Sequence, residues 1–202
     1  MQRILAIVIA FLAWFAVITQ LVLMLENREL GIPETLVRFF SFFTILTNIL
    51  VALLFTGRLF NITITQKTGK LTAVTSYILV VGTVYQFLLR HLWHPAGLQW
   101  VVDELLHTVI PLLVTVFWFL FENKSSLHFR QIPGWLLYPL VYFVYILLRG
   151  LLSDYYPYPF IDASKLGMSR ALLNGVLIMV FFVIVQVVLI IVGRRLARKK
   201  LV

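Results

Sequence analysis

The chain has 202 residues, of which 61% are hydrophobic and only 12% are charged. One soluble core of this size could not bury so much apolar surface, so the composition excludes an ordinary soluble protein and predicts a membrane protein with several spans. The absence of Cys excludes disulfides, zinc–thiolate sites and a thiol nucleophile. The formal charge of +9 does not indicate nucleic acid as a partner, because the basic residues lie beside apolar segments, where membrane topology accounts for them.

Six apolar segments are separated by loops that contain Pro, Gly or charged residues. Because about 20 helical residues cross the hydrocarbon core, we interpret these segments as membrane spans. We therefore predict one all-α domain over residues 1–202, a bundle of six transmembrane helices without a linker or an internal repeat. The predicted spans lie near residues 4–25, 39–56, 71–89, 101–121, 135–149 and 171–193.

Six spans place both termini on the same side of the membrane, and the basic residues predict which side this is. Of the 17 Lys and Arg residues, eleven lie on the side of the termini and six on the opposite side. The positive-inside rule therefore predicts a multi-pass protein of the cell membrane with both termini in the cytoplasm.

Polar side chains in two of these spans are the first candidates for a functional site. Asp103 and His107 lie one helical turn apart in the fourth predicted span, and Ser41, Thr44 and Asn48 share one face of the second. An ionisable group inside a membrane span is costly, so it is by default a functional-site hypothesis. With the orientation above, Thr44 and His107 each lie about two turns, roughly 10 Å, below the outer surface. This predicts a polar pocket that opens outward.

These residue types suit nucleophilic catalysis. His107 could take the proton of the Thr44 hydroxyl, which does not ionise by itself near neutral pH. Asp103 could hold the imidazole ring in one tautomer, and Asn48 or Arg149 could support a developing oxyanion. The structural alternative is that the threonine bonds to the carbonyl four residues earlier and that the histidine bridges helices.

Two features of the second half of the chain belong to the same predicted outer layer. In the fifth predicted span, residues spaced by four, three and four positions lie on one face of the helix and form a stripe: Tyr138, Tyr142, Tyr145 and Arg149. We prefer helix packing to a lined cavity as the interpretation of this stripe. The following loop, residues 150–170, contains the sequence YPYPFID and is predicted to lie over the helices as a lid.

Three segments carry a resemblance that covers nearly the whole chain: FSFFTILTN at residues 40–48, WLLYP and the stretch that follows it at 135–150, and YPYPFID at 156–162. They resemble a bacterial family of six-span membrane proteins of poorly defined activity. That family is more distantly similar to the androgen-induced membrane proteins of animals, hydrolases that cleave fatty acid esters of hydroxy fatty acids with a membrane-embedded threonine and histidine. The resemblance implies Thr44 as the nucleophile and His107 as the base, with Thr47 as a rival nucleophile.

The predicted function is therefore an integral membrane hydrolase that cleaves a lipid ester, with no metal or other cofactor and with a membrane lipid as its partner. The alternative is a transporter, or a protein that binds a lipid or small molecule in the same pocket. A channel would need polar groups that continue to the inner side, and they largely stop. A haem carrier is disfavoured because His107 alone lies well inside a span, and a rhomboid protease because Gly-x-Ser-Gly is absent.

Overall fold

The computed structural model describes residues 1–199, and within that range the regular elements are all helical. The α-helices are α1 (Gln2–Glu26), α2 (Ile32–Phe39), α3 (Phe43–Leu59), α4 (Thr63–Gln66), α5 (Lys70–Val84), α6 (Gly97–Glu104), α7 (Ile110–Phe121), α8 (Ile132–Ser153), α9 (Ala163–Leu166) and α10 (Met168–Lys199). One π-helical turn, Tyr85–Leu89, continues α5, and a second, Leu105–Val109, joins α6 to α7. The prediction of an all-helical protein is confirmed.

Five helical segments are long and apolar enough to cross a membrane. They are Gln2–Glu26, Lys70–Leu92, Gly97–Phe121, Phe129–Ser153 and Met168–Arg198. A sixth is obtained only if α2 and α3, which are bent by 72° relative to each other, are counted as one broken span. The chain therefore has the helices of a membrane protein with several spans, as its composition predicts.

The second predicted span, residues 39–56, differs from the structure at its start. Helix α2 ends at Phe39, and α3 begins only at Phe43. Ser41 lies in the turn between them, where its hydroxyl donates to the Val37 carbonyl at 2.7 Å. The prediction that Ser41 shares a helical face with Thr44 is therefore wrong, because the chain changes direction before α3 begins.

Helix α5 is the central helix of the structure. It contacts α3, α7 and α10, and its residues 71–78 are all buried. Helix α1 packs mainly along α3. Most of the buried side chains of α1 are small, which allows neighbouring backbones to approach closely; they include Ala6, Ala10, Ala13 and Ala16. The outer faces of α1, α8 and α10 expose large apolar side chains, which suits contact with lipid.

Contacts between distant residues show which helix ends lie together. Gln99 at the start of α6 donates to Gln20 near the end of α1 at 2.7 Å. Arg149 near the end of α8 pairs with Glu34 of α2 at 3.0 Å. Residues from the end of α1, the end of α2 and the starts of α3 and α6 also line one cavity, so these helix ends and the end of α8 lie together. We call this the site end of the structure.

Candidate functional site

A cavity of about 330 Å³ lies at the site end, and we call it the site cavity. The side chains in its wall that could take part in chemistry are Thr44, Tyr85, Asp103, His107 and Tyr158. Most of the remaining wall is apolar and comes from α1, from the α2–α3 region and from the segment that follows α5. The structure thus brings the two principal predicted residues, from different helices, to one cavity.

The imidazole of His107 is held at one nitrogen. Its Nδ1 lies 2.9 Å from the backbone carbonyl oxygen of Asp103 and 3.3 Å from the Asp103 carboxylate oxygen Oδ1. A carbonyl oxygen can only accept, so in the neutral ring Nδ1 carries the hydrogen and Nε2 has the lone pair. The geometry therefore leaves Nε2 as the basic nitrogen, which is the arrangement that a general base requires.

Tyr85 completes this cluster, although the sequence did not point to it. Its ring stacks on His107 with the ring centroids 3.9 Å apart and an angle of 11° between the planes. Its hydroxyl donates to Oδ2 of Asp103, so both oxygens of this buried carboxylate have a partner. The nearby polar stripe that includes Gln86 and Arg90 is the signal that could have drawn attention to this end of the third predicted span.

Both rings lie in π-helical turns, which often occur at functional sites. Tyr85 begins the turn that continues α5, and His107 is the central residue of the turn between α6 and α7. Gly82 lets the two segments approach, because a Cβ atom there would lie 3.0 Å from the His107 carbonyl oxygen. The small residue therefore brings the two turns close enough for their rings to stack.

Pro111 explains why the second π-helical turn needs a partner from another helix. In a π-helical turn, each carbonyl accepts from the N–H five residues later in the chain. The Leu106 carbonyl would therefore pair with residue 111, which is Pro and has no N–H. Asn48 supplies the missing donor: its Nδ2 donates to the Leu106 carbonyl at 3.3 Å and to the Thr44 carbonyl at 2.9 Å. Both amide hydrogens of Asn48 are thus used, and the predicted role of Asn48 as an oxyanion donor does not fit this geometry.

Thr44 is the second residue of α3 and lies at the junction of two cavities. Its backbone N–H donates to the hydroxyl of Tyr158 at 3.3 Å. Besides the site cavity, Thr44 and Tyr158 line a smaller cavity of about 70 Å³, whose wall is otherwise apolar and comes mainly from α5, α8 and α10. We call this the apolar cavity.

Two of the predicted residues lie elsewhere. The hydroxyl of Thr47 is 3.1 Å from that of Tyr138, and Thr47 is fully buried against α8. Arg149 is also buried, and its guanidinium binds Glu34 at 3.0 Å. Neither residue lines the site cavity, so the structure separates the rival nucleophile and the second candidate oxyanion donor from His107.

The tyrosine stripe of α8 packs against the α2–α3 region. The hydroxyl of Tyr142 donates to the Ser41 carbonyl at 2.8 Å, and the hydroxyls of Tyr145 and Ser41 are 3.4 Å apart. Together with the Thr47 contact of Tyr138, these bonds agree with the preferred packing interpretation. Tyr142 also lines the apolar cavity, so packing does not account for the whole stripe.

The loop between α8 and α9 is anchored rather than loosely laid over the helices. Asn174 of α10 donates to the Phe160 carbonyl at 2.7 Å. Asp162 caps α9. The hydrogen bond from the Ser164 hydroxyl is the largest effect on the pKa of this carboxyl group and lowers it. Interactions with Lys165 lower this pKa further, and partial desolvation opposes the decrease. These contacts hold the segment that inserts Tyr158 between the helices.

Within residues 1–199, no group of three or more His, Asp or Glu side chains is placed to hold a metal ion. No family model, no curated protein and no solved structure matches this chain. The resemblance to the androgen-induced hydrolases therefore stays a prediction, and the geometry of the site cavity is the basis for assigning a function.

Proposed function

We propose that this protein is an integral membrane hydrolase that cleaves a lipid ester, with Thr44 as the nucleophile and His107 as the general base. The main support is the orientation of the His107 ring. Asp103 accepts the hydrogen bond of Nδ1, so Nε2 is the basic nitrogen, and His107 and Thr44 line the same cavity. A threonine hydroxyl is a weak nucleophile near neutral pH, and such a base activates it by taking its proton.

In the first half of the proposed reaction, Oγ1 of Thr44 attacks the ester carbonyl carbon while Nε2 of His107 takes the hydroxyl proton. The tetrahedral intermediate collapses, the ester C–O bond breaks, and His107 gives its proton to the departing alkoxide. The acyl group is then bound to Thr44.

In the second half, His107 takes a proton from a water molecule whose oxygen attacks the acyl carbonyl. The bond to Oγ1 breaks, the fatty acid leaves, and the proton returns to Thr44. The carboxylate of Asp103 stabilises the positive charge that His107 carries in each intermediate, and Tyr85 holds that carboxylate in place.

The surroundings of the pair suit a lipid ester. Met24, Phe39 and Phe42 give the site cavity an apolar wall for a hydrocarbon chain. A more polar cavity of about 450 Å³ shares Tyr85 and Asp103 with it and could admit water. Under the proposed orientation, with both termini in the cytoplasm, this end faces the outer leaflet, so substrate enters sideways and water from outside.

The test compares two isosteric variants of the purified protein on a panel of lipid esters. Thr44→Val removes the proposed nucleophile and should abolish turnover, whereas Thr47→Val removes a hydroxyl that bonds to Tyr138 and should preserve it. His107→Ala should match the loss in Thr44→Val, and the double variant should be no worse, since residues that act as one unit are non-additive. Thr44→Ser keeps a hydroxyl and should be partly active.

A fluorophosphonate probe gives a second readout, because it should label the wild-type protein at Thr44. Labelling that survives Thr44→Val but disappears in Thr47→Val would move the nucleophile to Thr47. Full turnover in folded Thr44→Val and His107→Ala would reject the hydrolase and favour a transporter or a lipid-binding protein that uses the same cavity.

A further inference from the structure

The proposed hydrolysis needs a hydrogen-bond donor for the negative charge that develops on the ester carbonyl oxygen. Neither donor predicted from the sequence can serve. The two amide hydrogens of Asn48 are bonded to backbone carbonyls, and Arg149 is bound to Glu34 away from the site cavity. The donor must therefore be another group beside Thr44.

We propose that the hydroxyl of Tyr158 is this donor and that Tyr158 is a catalytic residue; the inference rests on the proposed function. Tyr158 is only 9% exposed, yet it lines both the site cavity and the apolar cavity. Its oxygen accepts the N–H of Thr44 at 3.3 Å, which places the phenol beside the proposed nucleophile. The oxygen is the acceptor in that bond. The hydroxyls of Thr44 and Tyr142 are the other hydrogen-bonding neighbours of this phenol, and a substrate carbonyl oxygen that displaces them would receive the hydrogen of the Tyr158 hydroxyl.

The start of α3 makes this phenol a stronger donor. The first N–H groups of a helix have no partner within the helix, and α3 has no side-chain cap, so the Thr44 N–H is one of the groups that need an external acceptor. A hydroxyl that accepts a hydrogen bond from the positive end of a helix is polarised and donates its own hydrogen more strongly. Charge on the substrate oxygen would thus be stabilised through Tyr158 by the start of α3.

The position of the ring is set before a substrate binds, as electrostatic stabilisation of a transition state requires. Pro157 and Pro159 restrict the backbone on both sides of Tyr158. The ring stacks on Phe160 with the centroids 5.3 Å apart, and it meets Phe42 edge-on at 6.0 Å. The bond from Asn174 to the Phe160 carbonyl fixes the same segment to α10.

The test is the variant Tyr158→Phe, which removes one oxygen atom and keeps the ring. We expect kcat for lipid ester hydrolysis to fall by about 10²–10³-fold, the usual effect of removing one oxyanion donor, with little change in KM. Labelling of Thr44 by the fluorophosphonate probe should slow by a similar factor. The matched control is Tyr138→Phe, which loses a half-buried hydroxyl that bonds to Thr47 outside both cavities and should keep its kcat.

A role of Tyr158 limited to capping α3 predicts a different result, with lower thermal stability and an unchanged kcat. That result, beside an inactive Thr44→Val variant, would overturn the Tyr158 proposal and leave the hydrolase intact. Full turnover in Thr44→Val would reject the hydrolase itself and the Tyr158 proposal with it.

If Tyr158→Phe does not fold, a ring-fluorinated tyrosine at position 158 replaces it. Fluorination keeps the shape of the side chain and makes the phenol more acidic, and an ionised phenol cannot donate a hydrogen bond. The alkaline limit of the kcat profile should therefore move to lower pH. A profile identical to that of the wild type would overturn the proposal.

Discussion

The two ends of the helices use similar polar side chains in different ways. At the end opposite the site cavity, Oε2 of Glu122 accepts hydrogen bonds from the backbone N–H and the hydroxyl of Thr72, at 3.0 and 2.9 Å. The indole of Trp118 donates to the same hydroxyl at 2.9 Å. At the site end, Asp103 and His107 are also bonded to each other, but they line a cavity.

A packing network and a candidate site differ in what their hydrogen bonds hold. The Thr72–Glu122 group joins the start of α5 to the end of α7. The hydrogen bonds of Thr72 and Trp118 run within the group, and the second carboxylate oxygen of Glu122 accepts from the backbone N–H of Asn123. The Asp103–His107 cluster uses its internal bonds to hold Nδ1 of the ring beside a cavity, and the proposed mechanism uses the other nitrogen, Nε2, as the base. Polar groups in apolar surroundings are therefore informative only once their partners are known.

Labelling of an introduced cysteine tests which end of the protein faces outward. This experiment has the largest effect, because a cysteine on one side of the membrane is labelled and one on the other side is not. The chain has no Cys, so a single introduced Cys is the only thiol. Ser164 lies at the site end and Ser125 at the opposite end, and both are exposed. On intact cells, an impermeant thiol reagent should label Ser164→Cys and not Ser125→Cys. The reverse pattern would place the site cavity toward the cytoplasm.

The next effect separates the two polar networks. Asp103→Asn should lower kcat by about 10²-fold, because the charged partner of the His107 imidazolium is lost while the Asp103 carbonyl still holds Nδ1. Glu122→Ala should leave kcat unchanged and lower the free energy of unfolding by about 1–3 kcal/mol, because the Thr72 donors lose their acceptor. Kinetics and thermal unfolding of both purified variants measure this, and similar effects on kcat would contradict the distinction.

The smallest effect tests the close approach of the two π-helical turns. Gly82→Ala adds a Cβ atom 3.0 Å from the His107 carbonyl oxygen, so the turn must shift by a few tenths of an ångström. We expect kcat to fall about tenfold, since catalysis is sensitive to small displacements of a catalytic group. Gly134→Ala is the matched control, because a Cβ there has no neighbour within 4 Å, and it should behave like the wild type. Equal kcat values for the two variants would show that this approach does not position His107.

The all-helical class and the positions of five long apolar helices could be predicted from the amino-acid sequence alone. Hydrophobic length and breaker residues act locally, so they can be read without knowing what a helix packs against. The sequence also selected Thr44, Asp103 and His107, because ionisable and polar residues are rare in such segments, and the structure brings these three to one cavity.

The rest of the candidate site depends on how the helices pack against one another. The sequence predicts that Asn48 donates to an oxyanion, but its amide group donates to two backbone carbonyls, one of which lacks a helical partner because residue 111 is Pro. The sequence pattern assigns no catalytic role to Tyr85 or Tyr158. They are candidates because the π-helical turn after α5 and the loop after α8 bring them to Asp103 and Thr44. Hydrogen bonds between residues far apart in the chain depend on how the helices pack, and periodicity within one helix contains no information about them.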